Sequence, residues 1–306
     1  MNAQPDTVSI LIPDGESYIM LGVLRCLSDV KGIRLFVISN NRNTAMRYSR
    51  HITSFIYCTK SASVDEWFNL INKLVKKHDI DVILPVFENA SQAFLRHRDM
   101  FCCDKLLLLP ETLDALEVAR DKWLLSQHLE KQDLDGPGTF RITEFLNHRS
   151  SKAEFYFPLL LKPTAETGDG KGIIKFDAYD DLKRYLKEHT IDPSYILQEY
   201  IEGYDLGCNV LCKNGEILAY TIQKGTIFTN RPFSPQVGLK ITKDNEVYQR
   251  ISKLMKSLNW NGVANIDMRY DVKRKKYLIL EINTRFWYTV LASSKAGVNF
   301  PWLYCL

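Results

Sequence analysis

Two stretches near the carboxyl end, GVANIDMRYD (262–271) and LILEIN (278–283), alternate polar and apolar residues and fit one another in one register. Val263 to Met268 and Leu278 to Ile282 flank the polar turn Tyr270 to Lys276, which predicts an antiparallel hairpin. With Asp267 opposite Glu281, Asn265 falls opposite Asn283 on the same face, while Ile266 meets Ile282 and Met268 meets Leu280 on the other. A slip of one residue would turn every apolar side chain to the wrong face. Two carboxylates and two amides gathered on one face are hard oxygen donors of the kind Mg²⁺ takes. The polar side of a one-sided sheet would be written the same way. Arg285, two residues after Asn283 and followed by Phe286-Trp287-Tyr288, favours a phosphate contact beside a packed aromatic wall.

The first third alternates differently. Val8 to Ile12 is a short apolar run, Tyr18 to Val30 has helical periodicity, and Ile33 to Ser39 is again β-branched and apolar, which makes a βαβ unit. Glu66 to His78 reads as an amphipathic helix and Asp81 to Pro85 as a buried strand, extending the pattern toward a parallel, doubly wound sheet. The Asp14-Gly15-Glu16-Ser17 turn could bind a ligand at a strand's carboxyl end or cap a helix, and Glu88 shares that ambiguity. Helices over Leu113 to Arg120 and Lys122 to Gln132 are separated by Asp121, an N-cap residue. Beyond Asp135-Gly136-Pro137-Gly138 strands dominate, with a hairpin signalled by Asn214-Gly215 between Leu206 to Cys212 and Ile217 to Gln223. The change of texture places a boundary near residue 118.

FPLLLKPTAETGDGKGIIKF (157–176) is a strand ending in Lys162, a loop with glycines at 168, 170 and 172, and a second strand. Successive backbone N–H groups in such a loop can close over anionic oxygens, with Lys162 and Lys171 adding charge, although a bare hairpin tip would look similar. It is not a Walker A loop, because glycine follows Lys171, and not a dinucleotide fingerprint, because a strand follows where a helix should open. YILQEYIEGYD (195–205) runs as an apolar strand into acidic residues, a form suited to a purine and a ribose hydroxyl or to a plain charged loop.

Composition narrows the class. Apolar residues at 45% and charged residues at 25% are globular values, and a formal charge of +4 from 40 basic and 36 acidic side chains is too diffuse for a nucleic-acid footprint. No apolar run approaches the ~20 residues needed to span a bilayer, and the first residues lack a secretory signal, so the expectation is a cytoplasmic protein. Seven cysteines without a C-x-x-C pair read as buried small hydrophobes rather than a disulfide or zinc framework.

In order, these stretches resemble the ATP-grasp superfamily, especially its carbamoyl-phosphate-synthase-like and carboxylate–amine ligase members, over nearly the whole chain. The resemblance implies a mixed α/β and α+β chain: a Rossmann-like preceding domain at 1–118, then a two-lobed grasp at 119–306, with lobe A about 119–196 and lobe B about 197–306. It implies that Lys122 and Lys162 touch phosphates, that residues 164–172, with Gly168, Gly170, Lys171 and Gly172, form a flap, and that Gln198, Glu199, Tyr200 and Ile201 hold adenine with Asp205 on the ribose. Asp267, Glu281 and Asn283 would hold Mg²⁺ or Mn²⁺, with Arg285 on the transferred phosphoryl group. The implied activity is ATP-dependent activation of a carboxylate as an acyl phosphate and its joining to an amine, with Arg231, in the loop Thr226 to Gln236, gripping the substrate carboxylate. Phosphorylation of a carboxylate or carbamate without ligation, and a non-catalytic ATP-binding module, are the rival readings. Small-molecule substrates, no nucleic acid, no membrane and a homodimer, as in relatives, are expected. Thr284 stands where the family often has proline, Asn209 where it frequently has an acid, and the sequence stops soon after Pro301, where relatives commonly continue.

Overall fold

The computed structural model describes residues 7–103, 106–147, 156–165, 172–228, 233 and 236–306, and the statements below concern those residues. Candidate residues Gly168, Gly170, Lys171 and Arg231 lie outside them.

Strands β1 (Val8–Ile12), β2 (Ile33–Ser39), β3 (Ser54–Tyr57) and β4 (Val82–Ile83) form a parallel sheet in the order β3-β2-β1-β4. Helix α1 (Met20–Ser28) connects β1 to β2, α2 (Val64–His78) connects β3 to β4, and α3 (Glu88–Arg96) follows β4. β4 is much shorter than the run 81–85 suggests, since Leu84 continues only by donating its N–H to Leu11. β3 carries no sequence signal because it is a four-residue edge strand, half-buried and without alternation. The start of α2 is fixed by a capping box, Ser63 with Glu66. Asp14 neither caps a helix nor lies open to a ligand. Its carboxylate accepts the backbone N–H groups of Val86 and Phe87 at 2.7 to 3.1 Å and so ties the end of β1 to the chain leaving β4.

Helices α4 (Leu113–Arg120) and α5 (Lys122–Lys131) meet at Asp121, whose side chain accepts from Trp123 and Leu124. A second sheet, antiparallel in the order β5-β8-β6-β7, contains β5 (Thr139–Arg141), β6 (Leu159–Pro163), β7 (Ile174–Phe176) and β8 (Tyr195–Glu199), with α6 (Ile142–Asn147) and α7 (Tyr179–Glu188) alongside. The third sheet has β9 (Gly203–Lys213), β10 (Glu216–Ile227), β11 (Gly238–Thr242), β12 (Gly262–Asp271) and β13 (Lys276–Asn283), ordered β11-β10-β9-β12-β13 and antiparallel throughout. Asn214 and Gly215, at φ of 52° and 76°, make the two-residue turn between β9 and β10. Helix α8 (Asn245–Ser257) covers one face of this sheet with α4 and α5, burying Val247, Ile251, Leu254 and Met255 against Cys208, Val210, Ile266 and Met268.

The other face meets the first sheet. Phe286 and Trp287, with α9 (Val290–Lys295) and α10 (Phe300–Tyr304), share one core with Ile10, Ile12, Val23, Val37 and Leu84. Burying each of those aromatic rings contributes roughly 1.5–3 kcal/mol. Tyr288 does not belong to this wall, being 74% exposed. Of the cysteines, Cys26, Cys208 and Cys212 are buried and all seven are free, but Cys102 is exposed, so not every thiol acts as a small core hydrophobe.

Candidate active site

At the β12–β13 hairpin, Asn265 pairs with Asn283, Ile266 with Ile282, and Asp267 with Glu281, as the alternation requires. The register departs one step later, where a bulge sets Met268 opposite Ile279 in place of Leu280. Strict alternation would send Ile279 and Ile282 to opposite faces; the bulge delivers both to the core and leaves Leu280 half-buried. The irregularity therefore sits beside the facing acids.

Those acids are pushed in opposite directions. Burial, reinforced by the adjacent Glu281 charge, holds the Asp267 carboxyl well above the usual range, and Asp267 hydrogen-bonds Glu281. Burial would raise Glu281 too, but the ammonium groups of Lys122 and Lys162 outweigh it and bring this carboxyl down to about 2. Lys122 Nζ stands 2.9 Å from Glu281 Oε2. It is carried on the first turn of α5, whose first backbone N–H donates to the carbonyl of Thr164 just past β6. Lys162, on β6, is 6% exposed, and burial lowers its ammonium to about 8 against the opposing pull of Glu281.

Asn283 donates from Nδ2 to Asp267 Oδ2 and to Asn265 Oδ1, both at 3.1 Å, and its Oδ1 accepts from Arg285 Nη2 at 3.1 Å. Two facing acids that raise one another's charging cost, with the Asn283 amide donating to one of them and its oxygen on Arg285, form a donor set that fits a hard divalent cation, since the cation relieves the same repulsion. Among the described residues no three His, Cys, Asp or Glu side chains gather as a metal site.

Arg285 looks two ways. Besides Asn283 it lies 3.7 Å from Glu88 Oε1 and over the ring of Phe87, while Arg120 approaches the other Glu88 oxygen at 3.7 Å. Glu88, the first residue of α3, sits at the carboxyl end of the parallel sheet, so that sheet reaches the charged cluster. A cleft of about 230 Å³ between α1 and Arg50 to Thr53 lies at the opposite end of the same sheet and contains none of these charges.

The remaining candidates surround the second sheet. Gln198 is buried with Nε2 donating to Thr139 Oγ1 at 3.0 Å, and the N–H groups of Glu199 and Tyr200 donate to the carbonyls of Gly138 and Pro158. The carbonyl of Ile201 accepts from Arg269 Nε at 2.6 Å, and Arg269 also pairs with Asp205, while Arg274 holds Glu199 at 2.6 Å. Gly172 adopts φ of 77° beside Tyr195. The sequence alone assigns no role to Arg269, Arg274 or Arg120. Arg269 lies within GVANIDMRYD, but its partner emerges only from the β9–β12 pairing, which sets Asp205 opposite it.

One parallel sheet is thus followed by two antiparallel ones, with Lys122, Lys162, Asp267 and Glu281 brought together at the latter pair. The chain belongs to the ATP-grasp family, the ATP-grasp domain being matched over residues 119–289. It is 30% identical over 158 residues to carbamoyl-phosphate synthase from Methanobrevibacter smithii, covering 49% of this chain and 42% of that protein, so it spans less than half of that relative's length. Its fold is similar to the crystal structure of L-amino acid ligase from Bacillus licheniformis (TM-score 0.69, 15% identity, 99% of this chain and 74% of that one). The biotin carboxylase domain of 2-oxoglutarate carboxylase from Hydrogenobacter thermophilus, solved as a dimer with MgADP, ADP and bicarbonate, matches with a TM-score of 0.71 and 18% identity over 97% of this chain and 68% of that one. No helix among the described residues is long and apolar enough to cross a membrane.

Proposed function

We propose that this chain is an ATP- and Mg²⁺-dependent ligase that converts a carboxylate into an acyl phosphate and joins it to an amine. The observation that carries the proposal is the facing pair Asp267 and Glu281 with Lys122 and Lys162 bearing on it, because one buried and one half-buried cation beside two acids suit the negative oxygens of a triphosphate and a bridging cation. Membership of the ATP-grasp family supports it, as does the MgADP bound by the Hydrogenobacter domain. In this proposal residues 1–118 form the preceding domain, 119–196 and 197–306 the two lobes, and Gln198 to Ile201 with Asp205 receive the nucleoside.

Asp267, Glu281 and Asn283 would hold Mg²⁺, which supplies charge neutralisation at the phosphate oxygens when bound. A carboxylate oxygen attacks the γ-phosphorus in line as the bond to the β-bridging oxygen breaks, giving acyl phosphate and ADP. Lys162 and Arg285 stabilise the charge on the equatorial oxygens from fixed positions. Lys122, paired with Glu281 in the free protein, would turn to the phosphates of bound ATP. The amine then attacks the acyl carbon and expels inorganic phosphate, losing its proton to water or a basic side chain. Glu88, by holding Arg285 and Arg120, keeps the guanidiniums apart and aimed.

Hydroxylamine trapping tests this. Protein, ATP, Mg²⁺ and a panel of amino and hydroxy acids should yield hydroxamate and ADP with at least one acid, and Glu281→Gln should abolish both. ADP without hydroxamate would favour simple hydrolysis. Neither product with any acid, despite nucleotide binding, would sink the ligase proposal in favour of a non-catalytic module.

A further inference from the structure

One row of polar side chains runs straight across the third sheet from the acid pair. Asn283 on β13 pairs with Asn265 on β12, Asn265 pairs with Asn209 on β9, and Asn209 pairs with Thr221 on β10, so four adjacent strands contribute one residue each at the same level. Ser293 of α9 closes the far end. The hydrogen bonds follow the row: Asn283 Nδ2 to Asn265 Oδ1 at 3.1 Å, Asn265 Nδ2 to Asn209 Oδ1 at 2.9 Å, Asn209 Nδ2 to Thr221 Oγ1 at 3.1 Å and to Ser293 Oγ at 3.4 Å. Asn209 and Ser293 are wholly buried, and Asn265 and Thr221 are 7% and 5% exposed.

The direction of the row is dictated by chemistry. Arg285 has only donors, so Asn283 must present its oxygen there and its NH₂ to Asn265. Asn265 must then accept with its oxygen and turn its own NH₂ to Asn209, which repeats the step. The hydroxyls of Thr221 and Ser293, 3.0 Å apart, can donate or accept and so end the chain without an orphan. Three amides thus stand head to tail: Asn209 turns its oxygen to Asn265, Asn265 turns its oxygen to Asn283, and Asn283 turns its NH₂ to Asn265 and to Asp267 and its oxygen to Arg285. A flipped Asn283 would set its N–H groups against the guanidinium of Arg285 and its oxygen against the oxygen of Asn265. Each group of such a buried row is costly when left unpaired, whereas valine at these β positions would carry no such risk.

We propose that Asn265 and Asn209 are positioning residues that lock the amide of Asn283 beside the divalent-cation position, with its NH₂ on Asp267 and its oxygen on Arg285, Thr221 and Ser293 anchoring the row. The proposal rests on the reading of Asp267, Glu281 and Asn283 as cation ligands. Outer hydrogen-bond partners of this kind typically change metal affinity by about 10–100-fold.

The test titrates Mg²⁺ into the full chain carrying a fluorescent ADP analogue, with the analogue's affinity in EDTA and the melting temperature recorded for each variant. Asn209→Val should weaken Mg²⁺ about tenfold with EDTA affinity unchanged. Asn209→Asp should stay near wild type, since a carboxylate accepts from Asn265 and from both hydroxyls. A folded Asn209→Val whose Mg²⁺ constant matches wild type, while Glu281→Gln weakens it, overturns the row alone. If Glu281→Gln also leaves Mg²⁺ binding unchanged, the cation site and the row fall together. Should Asn209→Val not fold, Ser293→Ala is read in its place: weakened Mg²⁺ supports the proposal, and an unchanged constant overturns it.

Discussion

Lys162 should make nucleotide binding pH-dependent in a way that Lys162→Arg erases. Burial lowers the Lys162 ammonium to about 8 in the free protein, and negative phosphate oxygens beside it would restore the charged form. Free protein that has lost the proton must regain it to bind, so affinity for ADP in EDTA falls as pH rises above 8. With a free-state pKa of about 8, the charged fraction drops from nine-tenths at pH 7 to about one-thirtieth at pH 9.5, a weakening of about 30-fold or about 2 kcal/mol. Arginine does not titrate in this range, so Lys162→Arg should show a flat profile even if weaker overall. Isothermal titration of ADP from pH 7 to 9.5 without divalent ions reads this directly. A flat wild-type profile, or an equal slope in Lys162→Arg, would refute the phosphate contact. The same depressed ammonium has a folding signature of the opposite sense: the unfolded chain keeps its proton to pH 10.5, so stability should rise from pH 8 to 10.5 in the wild type relative to Lys162→Met.

Asp14 supplies a second pH test, in stability alone. Burial raises its carboxyl from 3.8 to about 7 despite the N–H groups of Val86 and Phe87, so the folded state holds a proton the unfolded state has lost, and stability falls between pH 4 and 7 by up to about 4 kcal/mol relative to Asp14→Asn. Denaturant melts at both pH values check it, and a pH-independent difference would dismiss the shift. Gly203→Ala should cost about 1–3 kcal/mol or more, because its Cβ would fall 1.7 Å from the carbonyl oxygen of Tyr270 and wedge β9 from β12; an unchanged urea midpoint would contradict that packing. Arg285→Lys should cut ADP release at least about tenfold with little loss of stability, since an ammonium cannot reach Asn283, Phe286 and Glu88 together; near-normal turnover would remove Arg285 from the phosphoryl path.

What the sequence makes legible is what short-range periodicity encodes. The pairing of Asp267 with Glu281 follows from two alternating segments and one turn, and the start of α5 from Asp121. The bulge at Leu280 escapes the same reasoning, because alternation supplies the parity of a strand and not the place where the parity is broken to bury Ile279 and Ile282 together. Lys122 illustrates a different limit. Its residue type and position suggest a phosphate contact, but its partner Glu281 is far away in sequence and is found only once α5 packs against the third sheet.

Glu88 and the row of amides extend that limit into the chemistry of the site. Glu88 reaches Arg285 only because the first sheet and the Phe286–Trp287 wall share one core, so a charge at the start of α3 meets a guanidinium just past β13. Asn209 stands where the family frequently has an acid, and by itself that substitution reads as a lost charge. Paired across three strands it acquires a role that no local pattern expresses: a neutral amide accepts on one edge and donates on the other, and can therefore relay an orientation that a carboxylate, which only accepts, must leave to the two hydroxyls beyond it. The site thus depends on side chains whose meaning is fixed by their register in the sheet, and the residue that most repays substitution is one that touches neither acid.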